Sequence, residues 1–356
     1  MIRLLIEKGV SGLFTLLGVT VVVFFLFNIL GDPAQMMVDQ NASQAQVKKI
    51  QQKYGFDLPL HQQFFFFLND LSPLSIHSTQ SSHLSYYTKE KYGGLSFEVA
   101  RRVVALKWPY LRTSYQRQGK RVSAIIAETL PNTFVLALSS IGIAIVLGMI
   151  LGVLAGYYKG SIWDAILLFV STLGMSVPSF FSAILFSWVF GHLLGDWTGL
   201  NMTGSLYEMD DFGEGQQLQL KNLVLPALVL GIRPIAVIVQ LVRSGMIDVL
   251  QQEYIKTAYA KGLTSFQVVY RHAIKNTLNP VITAVSGWFA SMLAGAVFVE
   301  YIFGWRGLGK EIVNALNTLD IPVVMGAVLV IASLFVVINL MVDFLYIYID
   351  PKAKPF

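Results

Sequence analysis

The sequence predicts an all-α integral membrane protein that crosses the bilayer about six times, and three observations predict it. First, of 356 residues 54% are hydrophobic and only 13% are charged, with a mean hydropathy of +0.60. Soluble domains carry about 25% charged residues, so this chain lacks the polar groups to cover a water-facing surface. Second, six mostly apolar segments are each long enough to span a bilayer, at roughly 10–30, 132–157, 163–190, 222–246, 281–303 and 322–348. About 20 residues rising about 1.5 Å each cross a hydrocarbon core of about 30 Å. Third, acidic and basic residues separate into different connecting loops.

The first segment is preceded by Arg3 and Lys8, as a secretion signal would be. Its apolar run from Gly9 to Leu30 exceeds the roughly 7–15 residues of a signal, and Gly31-Asp32-Pro33 is no small-x-small cleavage site. It reads as a retained helix. Pro280 and Pro322 stand where helices open. Pro178 and Pro234 fall inside the third and fourth segments and are expected to kink them.

Orientation follows from loop charge. The loop after the third segment carries Asp196, Glu208, Asp210, Asp211 and Glu214 against Lys221. The loop after the fourth carries Arg243, Lys256, Lys261, Arg271 and Lys275, which the positive-inside rule places in the cytoplasm, with both termini inside. The tail Asp350–Lys354 agrees. Residues 31–131 fall outside by this count although they hold twelve Lys and Arg; loops beyond about 60 residues escape the rule. Within them, Gln44–Gly55 has helical apolar spacing at Val47, Ile50 and Tyr54. Phe64–Phe67 reads as an interfacial helix anchored in lipid, or else as a docking patch for a partner. Ser72–Ser85, rich in Ser and His, reads as an irregular insertion.

Composition excludes several chemistries. The chain has no cysteine, which removes disulfides, thiolate catalysis and Cys-ligated metals. Histidines 61, 77, 83, 192 and 272 show no HxxxH or HExxH spacing, so no metal centre is expected. The net charge of +5 reports cytoplasmic loops and not nucleic-acid binding.

The basic loop carries the function. Tyr254–Lys261 can be helical, Gly262 ends that helix, and Thr264/Ser265 can cap a second one over Phe266–Leu278. Ile255, Ala258 and Tyr259 share one face of the first helix, a face suited to docking in a partner's groove. The alternative is a solvated loop that merely connects two spans.

The stretch "EYIKTAYAKGLTSFQVVYRHAIKNTLNPVIT" strongly resembles the cytoplasmic coupling loop of ABC importer permeases of the dipeptide/oligopeptide class. Against their general pattern E-A-A-x3-G-x9-I-x-L-P, Lys256-Thr257-Ala258 stand at E-A-A and Gly262 at the glycine. His272 and Ile274 stand at I and L, and Lys275 replaces the proline. "GDP" after the first segment with "GFDLPLHQQFFFFL", "GKRVSAIIAETLPNTFVLAL", "SVPSFF", "LVLPALVLGIRPIAVIVQLVRSGMIDVL" and "NLMVDFLYIYIDPK" resemble the B-type permease of these importers. "VFVEYIFGWRGLGKEIVNAL" is similar to their V-E-x-x-F-x-W-P-G-L-G loop, with Arg306 at the proline. The likeness covers nearly the whole chain except about 70–108, which looks like an insertion.

The resemblance implies a type I ABC importer permease fold. Residues 1–122 would form a first span plus an extracytoplasmic region, and 123–350 the permease domain with its coupling loop at 247–279. It implies a second homologous permease, two ABC ATPases and an extracytoplasmic substrate-binding protein as partners, in the lipid of a bacterial inner membrane. No GxxxxGK[ST] motif occurs, so ATP and Mg would be used by the partner ATPases, with no cofactor on this chain and no catalysis by it. Coupling would fall on Tyr254, Ile255, Thr257, Ala258, Tyr259, Lys261, Gly262 and Leu263. The cargo class would be di- or oligopeptides, with nickel chelates, haem or glutathione as alternatives.

Two charged residues remain as candidates for the translocation pathway. Arg233 sits mid-span, where a charge is costly unless it meets water or a partner. It either lines the pathway and meets a cargo carboxylate, or forms a structural ion pair with Glu300. Asp343 lies near the cytoplasmic exit and reads as structural, and glycines 142, 148, 152 and 156 form a packing stripe. A secondary transporter would show repeated broken spans with buried carboxylates, and an intramembrane protease would need paired catalytic groups at membrane depth; neither pattern occurs.

Overall fold

The computed structural model describes residues 2–29, 33–37, 43–81, 83–117, 119–210 and 215–349. Gly31-Asp32, Asp211, Glu214 and the tail from Asp350 lie outside the described residues. Two compact units form, Met1–Glu128 with Ile312–Ala332, and Thr129–Glu311 with Ser333–Phe356.

The N-terminal unit begins with the apolar helix α1 (Ile2–Ile29) and the short turn α2 (Pro33–Met36). Helix α3 (Gln44–Tyr54) starts where Ser43 and Gln46 cap each other reciprocally, and it stops at Gly55, whose φ of +74° favours glycine. Helix α4 (Leu60–Leu71) follows. Only part of the Phe64–Phe67 quartet is free to meet lipid or a partner. Phe64 and Phe67 pack on Phe24 of α1, at ring distances of 5.1 and 5.7 Å, and only Phe65 points outward.

Ser72–Ser85 is not irregular either. Strand β1 (Leu74–Ser78) is followed by the turn α5 (Lys89–Tyr92), β2 (Leu95–Val99) and β3 (Arg102–Leu106), in the antiparallel order β1-β3-β2. Ser75, His77, Val103 and Ala105 are buried on one face, while Leu74, Ile76, Leu95 and Phe97 are exposed on the other. The fold is thus mostly helical, with a small sheet inserted.

Helix α6 (Val122–Tyr157) opens the second apolar segment. The third segment is broken outright, into α7 (Ile162–Ser176) and α8 (Ser179–Trp188), which continues as a wider π turn to Leu193. Val177 is extended, as the residue before proline prefers, and the two halves meet at 109°. After α9 (Gly195–Thr198) and the hairpin β4 (Tyr207–Met209) with β5 (Gln216–Leu218), α10 (Lys221–Leu250) stays one helix through Pro226 and Pro234. Pro234 therefore does not interrupt its span.

The glycine stripe acts in close packing, and three of its four members do so against α10. A Cβ on Gly148, Gly152 or Gly156 would sit 2.7, 2.7 and 2.6 Å from Ile238, Val242 and Met246, whereas Gly142 faces open space. Glycine at these positions lets the two helices approach closely, the usual device where lipid removes the hydrophobic drive between helices.

The chain continues through α11 (Glu253–Ala260), α12 (Ser265–Val268), a π turn at Val269–Ala273, α13 (Ile274–Gly295) and α14 (Val297–Phe303). Pro280 lies inside α13 and does not open it. The last elements are α15 (Leu308–Asn317) and α16 (Ile321–Ile349), the latter with Pro322 in its first turn. Among the described residues four helices are long and apolar enough to cross a membrane, and up to six spans result if each bent pair counts as one.

Candidate functional site

The connection after α10 folds as a hairpin with its own small core. Helix α11 ends where Lys261 N–H donates to Thr257 O (3.1 Å) and Leu263 N–H to Ala258 O (3.3 Å). Gly262, at φ +82°, turns the chain in the left-handed region that side chains with a Cβ avoid. Thr264 and Gln267 then form a capping box, with Thr264 N–H donating to Gln267 Oε1 at 3.0 Å. The stop of one helix and the start of the next are thereby fixed between Thr257 and Gln267.

Burial corrects which face is available. Ile255, Ala258 and Val268 are 1%, 6% and 0% exposed, closed over by Val249, Leu250 and Leu263. Ile255 and Ala258 face their own chain and are not the partner-facing residues the sequence suggested. Tyr254, Thr257, Tyr259, Lys261 and Gly262 stay exposed. Sequence reading missed Phe266 and Tyr270, which are 78% and 66% exposed and stack with ring planes 3° apart at 6.2 Å. The available signal was two aromatics at i and i+4, the first inside a capping box and the second just after it. A large aromatic left in water on a rigid, capped element suits an interface. Asn276 Nδ2 donates to Tyr254 Oη at 3.1 Å and to His272 O at 2.8 Å, which ties α11 to α13.

The charge at the foot of α10 is also engaged. Arg243 grips Asp164 in a fork, Nε to Oδ1 at 2.6 Å and Nη2 to Oδ2 at 2.8 Å. Asp164 is 4% exposed and accepts Gly160 N–H as well, at 2.9 Å. A bidentate guanidinium–carboxylate pair with a further donor is the satisfied form of a buried charge.

Arg233 and Glu300 are not brought together. Arg233 lines a cavity of about 70 Å³ with Ser179, Ser182, Trp288 and Ser291, and among the described residues it makes no hydrogen bond or ion pair. Glu300 is fully buried and accepts the Lys310 N–H at 3.1 Å. A Cβ on Gly309 would fall 2.9 Å from its Oε2, so only glycine leaves room for that carboxylate. Trp305 beside it is fully buried, donating Nε1–H to Asn132 O at 3.0 Å, and Leu308 N–H donates to Thr133 Oγ1 at 2.8 Å. The expected Arg233–Glu300 ion pair is therefore absent, and Glu300 fastens the Gly304–Lys310 turn instead.

Two family models match the chain. One, the inner membrane component of binding-protein-dependent transport systems, matches residues 144–355, and the N-terminal part of such a component matches residues 1–83. The chain is 31% identical to the dipeptide transport system permease protein DppB of Alkalihalophilus pseudofirmus, over 95% of each chain. It is 30% identical to the probable D,D-dipeptide transport system permease protein DdpB of Escherichia coli, covering 94% of this chain and 92% of that one. It is also 30% identical to the di/tripeptide transport system permease protein DppB of Pseudomonas aeruginosa, covering 96% and 95%. Among solved structures, the inward-facing MetNI methionine ABC transporter aligns with 64% of this chain and 97% of that one, at a TM-score of 0.49 and 14% identity. A model that covers more than half of the chain and relatives that cover nearly all of it agree: this chain belongs to the family of inner membrane components of binding-protein-dependent transport systems.

Proposed function

We propose that the chain is the permease subunit of an ATP-binding cassette importer that moves short peptides across the bacterial inner membrane. The observation that carries the reading is the capped hairpin between α10 and α13, which holds exposed aromatics over its own core. Such a hairpin passes force between a partner and the two long helices it joins. The peptide cargo is supported by relatives named for dipeptides that match this chain almost end to end. The hairpin faces the cytoplasm, where its basic residues belong. There Tyr254, Thr257, Tyr259, Lys261, Gly262, Phe266 and Tyr270 form the contact with one of two ATPase subunits, which bind the ATP and Mg. A second, homologous permease completes the pathway and an extracytoplasmic binding protein delivers cargo. Arg233, on its mostly apolar cavity with Ser179, Ser182 and Ser291, meets a cargo carboxylate, for which a guanidinium fork is well shaped. The test is uptake of a labelled dipeptide by cells from which the chain has been deleted. Restored chain should restore uptake, and Arg233→Gln should lower it about tenfold at unchanged membrane abundance. Uptake that persists in the deleted strain, or that returns with other cargo and never with peptide, contradicts the reading.

A further inference from the structure

The N-terminal unit holds a second cavity, open on one side and of about 420 Å³, which lies within the range of small-ligand sites. Its walls come from separate parts of the unit: the end of α3, helix α4, the turn α5, and the segment 110–115. We infer that this cavity is a binding site for a carboxylate-bearing small ligand, the class to which the C-terminal end of a short peptide belongs. The choice of a peptide among such ligands rests on the proposed cargo.

Charge points to an anion. Lys53, Lys91 and Arg112 line the cavity, and Asp70 is the one acid among its described lining residues. Asp70 is already satisfied. Arg112 Nε donates to its Oδ2 at 2.9 Å, Tyr92 Oη donates to its Oδ1 at 3.2 Å, and Lys107 Nζ reaches its backbone carbonyl. Lys91 is different. It is half-buried, and its ammonium stands over the rings of Tyr92 and Tyr110 at 4.7 and 5.5 Å. Among the described residues it has no hydrogen-bond acceptor. An ammonium carries three donors, and a ring face accepts none of them as an anion's oxygen would. Asp70 attracts Lys91 through space, but its carboxylate oxygens are taken by Arg112 and Tyr92 and it makes no direct ion pair with Lys91.

The backbone supports the same reading. Arg112 has a φ of +66°, in the left-handed region that a residue with a Cβ disfavours. It is held there by Val122 N–H, which donates to the Arg112 carbonyl at 3.1 Å. Asp320, which accepts Ser114 Oγ–H and the Tyr115 N–H, fastens the segment that follows. The constraint directs the guanidinium between Asp70 and the Phe67 ring, at 5.3 Å from its centre. Beside the charges stand Tyr54, Phe56 and Tyr115, with ring centres 5.5–6.0 Å apart. An anion pole next to an aromatic wall fits a ligand with a carboxylate and an apolar side chain.

The test uses the full chain in nanodiscs of phosphatidylcholine and measures binding of alanyl-phenylalanine by calorimetry. Its C-terminal amide should bind at least about tenfold more weakly, the cost of one lost charge-assisted contact. Lys91→Met should weaken the free peptide by the same factor, and Lys91→Arg should keep it within about threefold. Equal binding of peptide and amide overturns the site without using any variant. So does competition at the peptide's own strength by inorganic phosphate, or by anionic lipid in matched discs prepared with phosphatidylglycerol, which would assign the cavity to phosphate. Uptake by cells is a separate measurement, so a failure here with peptide uptake intact removes this site alone. Loss of peptide uptake with binding intact removes the transport reading alone.

Discussion

His77 lies 2% exposed in the sheet of the N-terminal unit, hydrogen-bonded to Ser75 (2.9 Å) and with its ring tilted at 38° to the Tyr92 ring, 4.1 Å away. Burial, and after it the nearby Lys107 ammonium, pushes its imidazole below the ordinary value. The folded state thus keeps His77 neutral to a lower pH than the unfolded chain, which takes a proton below about pH 6.5. Stability from this group is whole above that pH and is lost as pH falls toward the folded value. Melting of the detergent-solubilised chain should fall between pH 7 and 5.5, and His77→Gln should flatten that slope; an unchanged slope contradicts the burial argument. Arg233 and Glu300 also separate at this scale. Glu300→Gln weakens the bond from Lys310 and should cost about 1–3 kcal/mol in stability. Arg233→Gln should cost less than about 0.5 kcal/mol, because no ion pair is broken. The double variant should be additive; rescue of stability in it would restore the ion pair. That Arg233 needed an explanation was legible in the sequence, because a charge within an apolar run has few permitted environments. Its separation from Glu300 was not, since that depends on how the Gly304–Lys310 turn folds back over the carboxylate.

Among the elements, the spans were legible because a run of about 20 apolar residues has few other readings. The effect of each proline was not. Val177-Pro178 ends α7 and turns the chain by 109°, while Pro226 and Pro234 sit within an unbroken α10. Local chemistry is similar at these positions, and packing decides. In α6, Gly152→Leu should drive into Val242 and the Val239 carbonyl and lower stability by about 1–3 kcal/mol. Gly142→Ala, which meets open space, should leave the melting temperature close to the parent's. Equal effects would show that the close approach to α10 is not stabilising. The hairpin was legible as helix, glycine, helix; its facing was not, because an apolar stripe on α11 serves an internal core as well as a partner's groove. Cysteines at 259, 266 and 270 should cross-link to an ATPase, and cysteines at 255 and 258 should not. Cross-links from the latter pair alone would reverse that facing.

For the whole molecule, the inserted sheet escaped sequence reading for a physical reason. Strand β1 runs inside out: apolar Leu74 and Ile76 face outward with Leu95 and Phe97 of β2, while Ser75 and His77 face the interior beside Val103 and Ala105 of β3. A reading of alternation assumes the reverse, and the pairing partners of β1 lie about 30 residues away. Orientation is tested by tags: those at 80 and 210 should be reached from outside the cell and those at 265 and 354 from inside. The central claim is that the hairpin conveys a partner's ATP hydrolysis to a peptide pathway through this chain. The most direct measurement reconstitutes the chain with its partner subunits in liposomes and follows dipeptide uptake and ATP hydrolysis together. The comparison is between the parent and the triple variant Tyr259→Ala, Phe266→Ala, Tyr270→Ala. ATP-driven uptake is expected in the parent, and its loss, at unchanged melting temperature of the isolated chain, in the variant. Uptake that continues in the variant at the parental rate per ATP would contradict it.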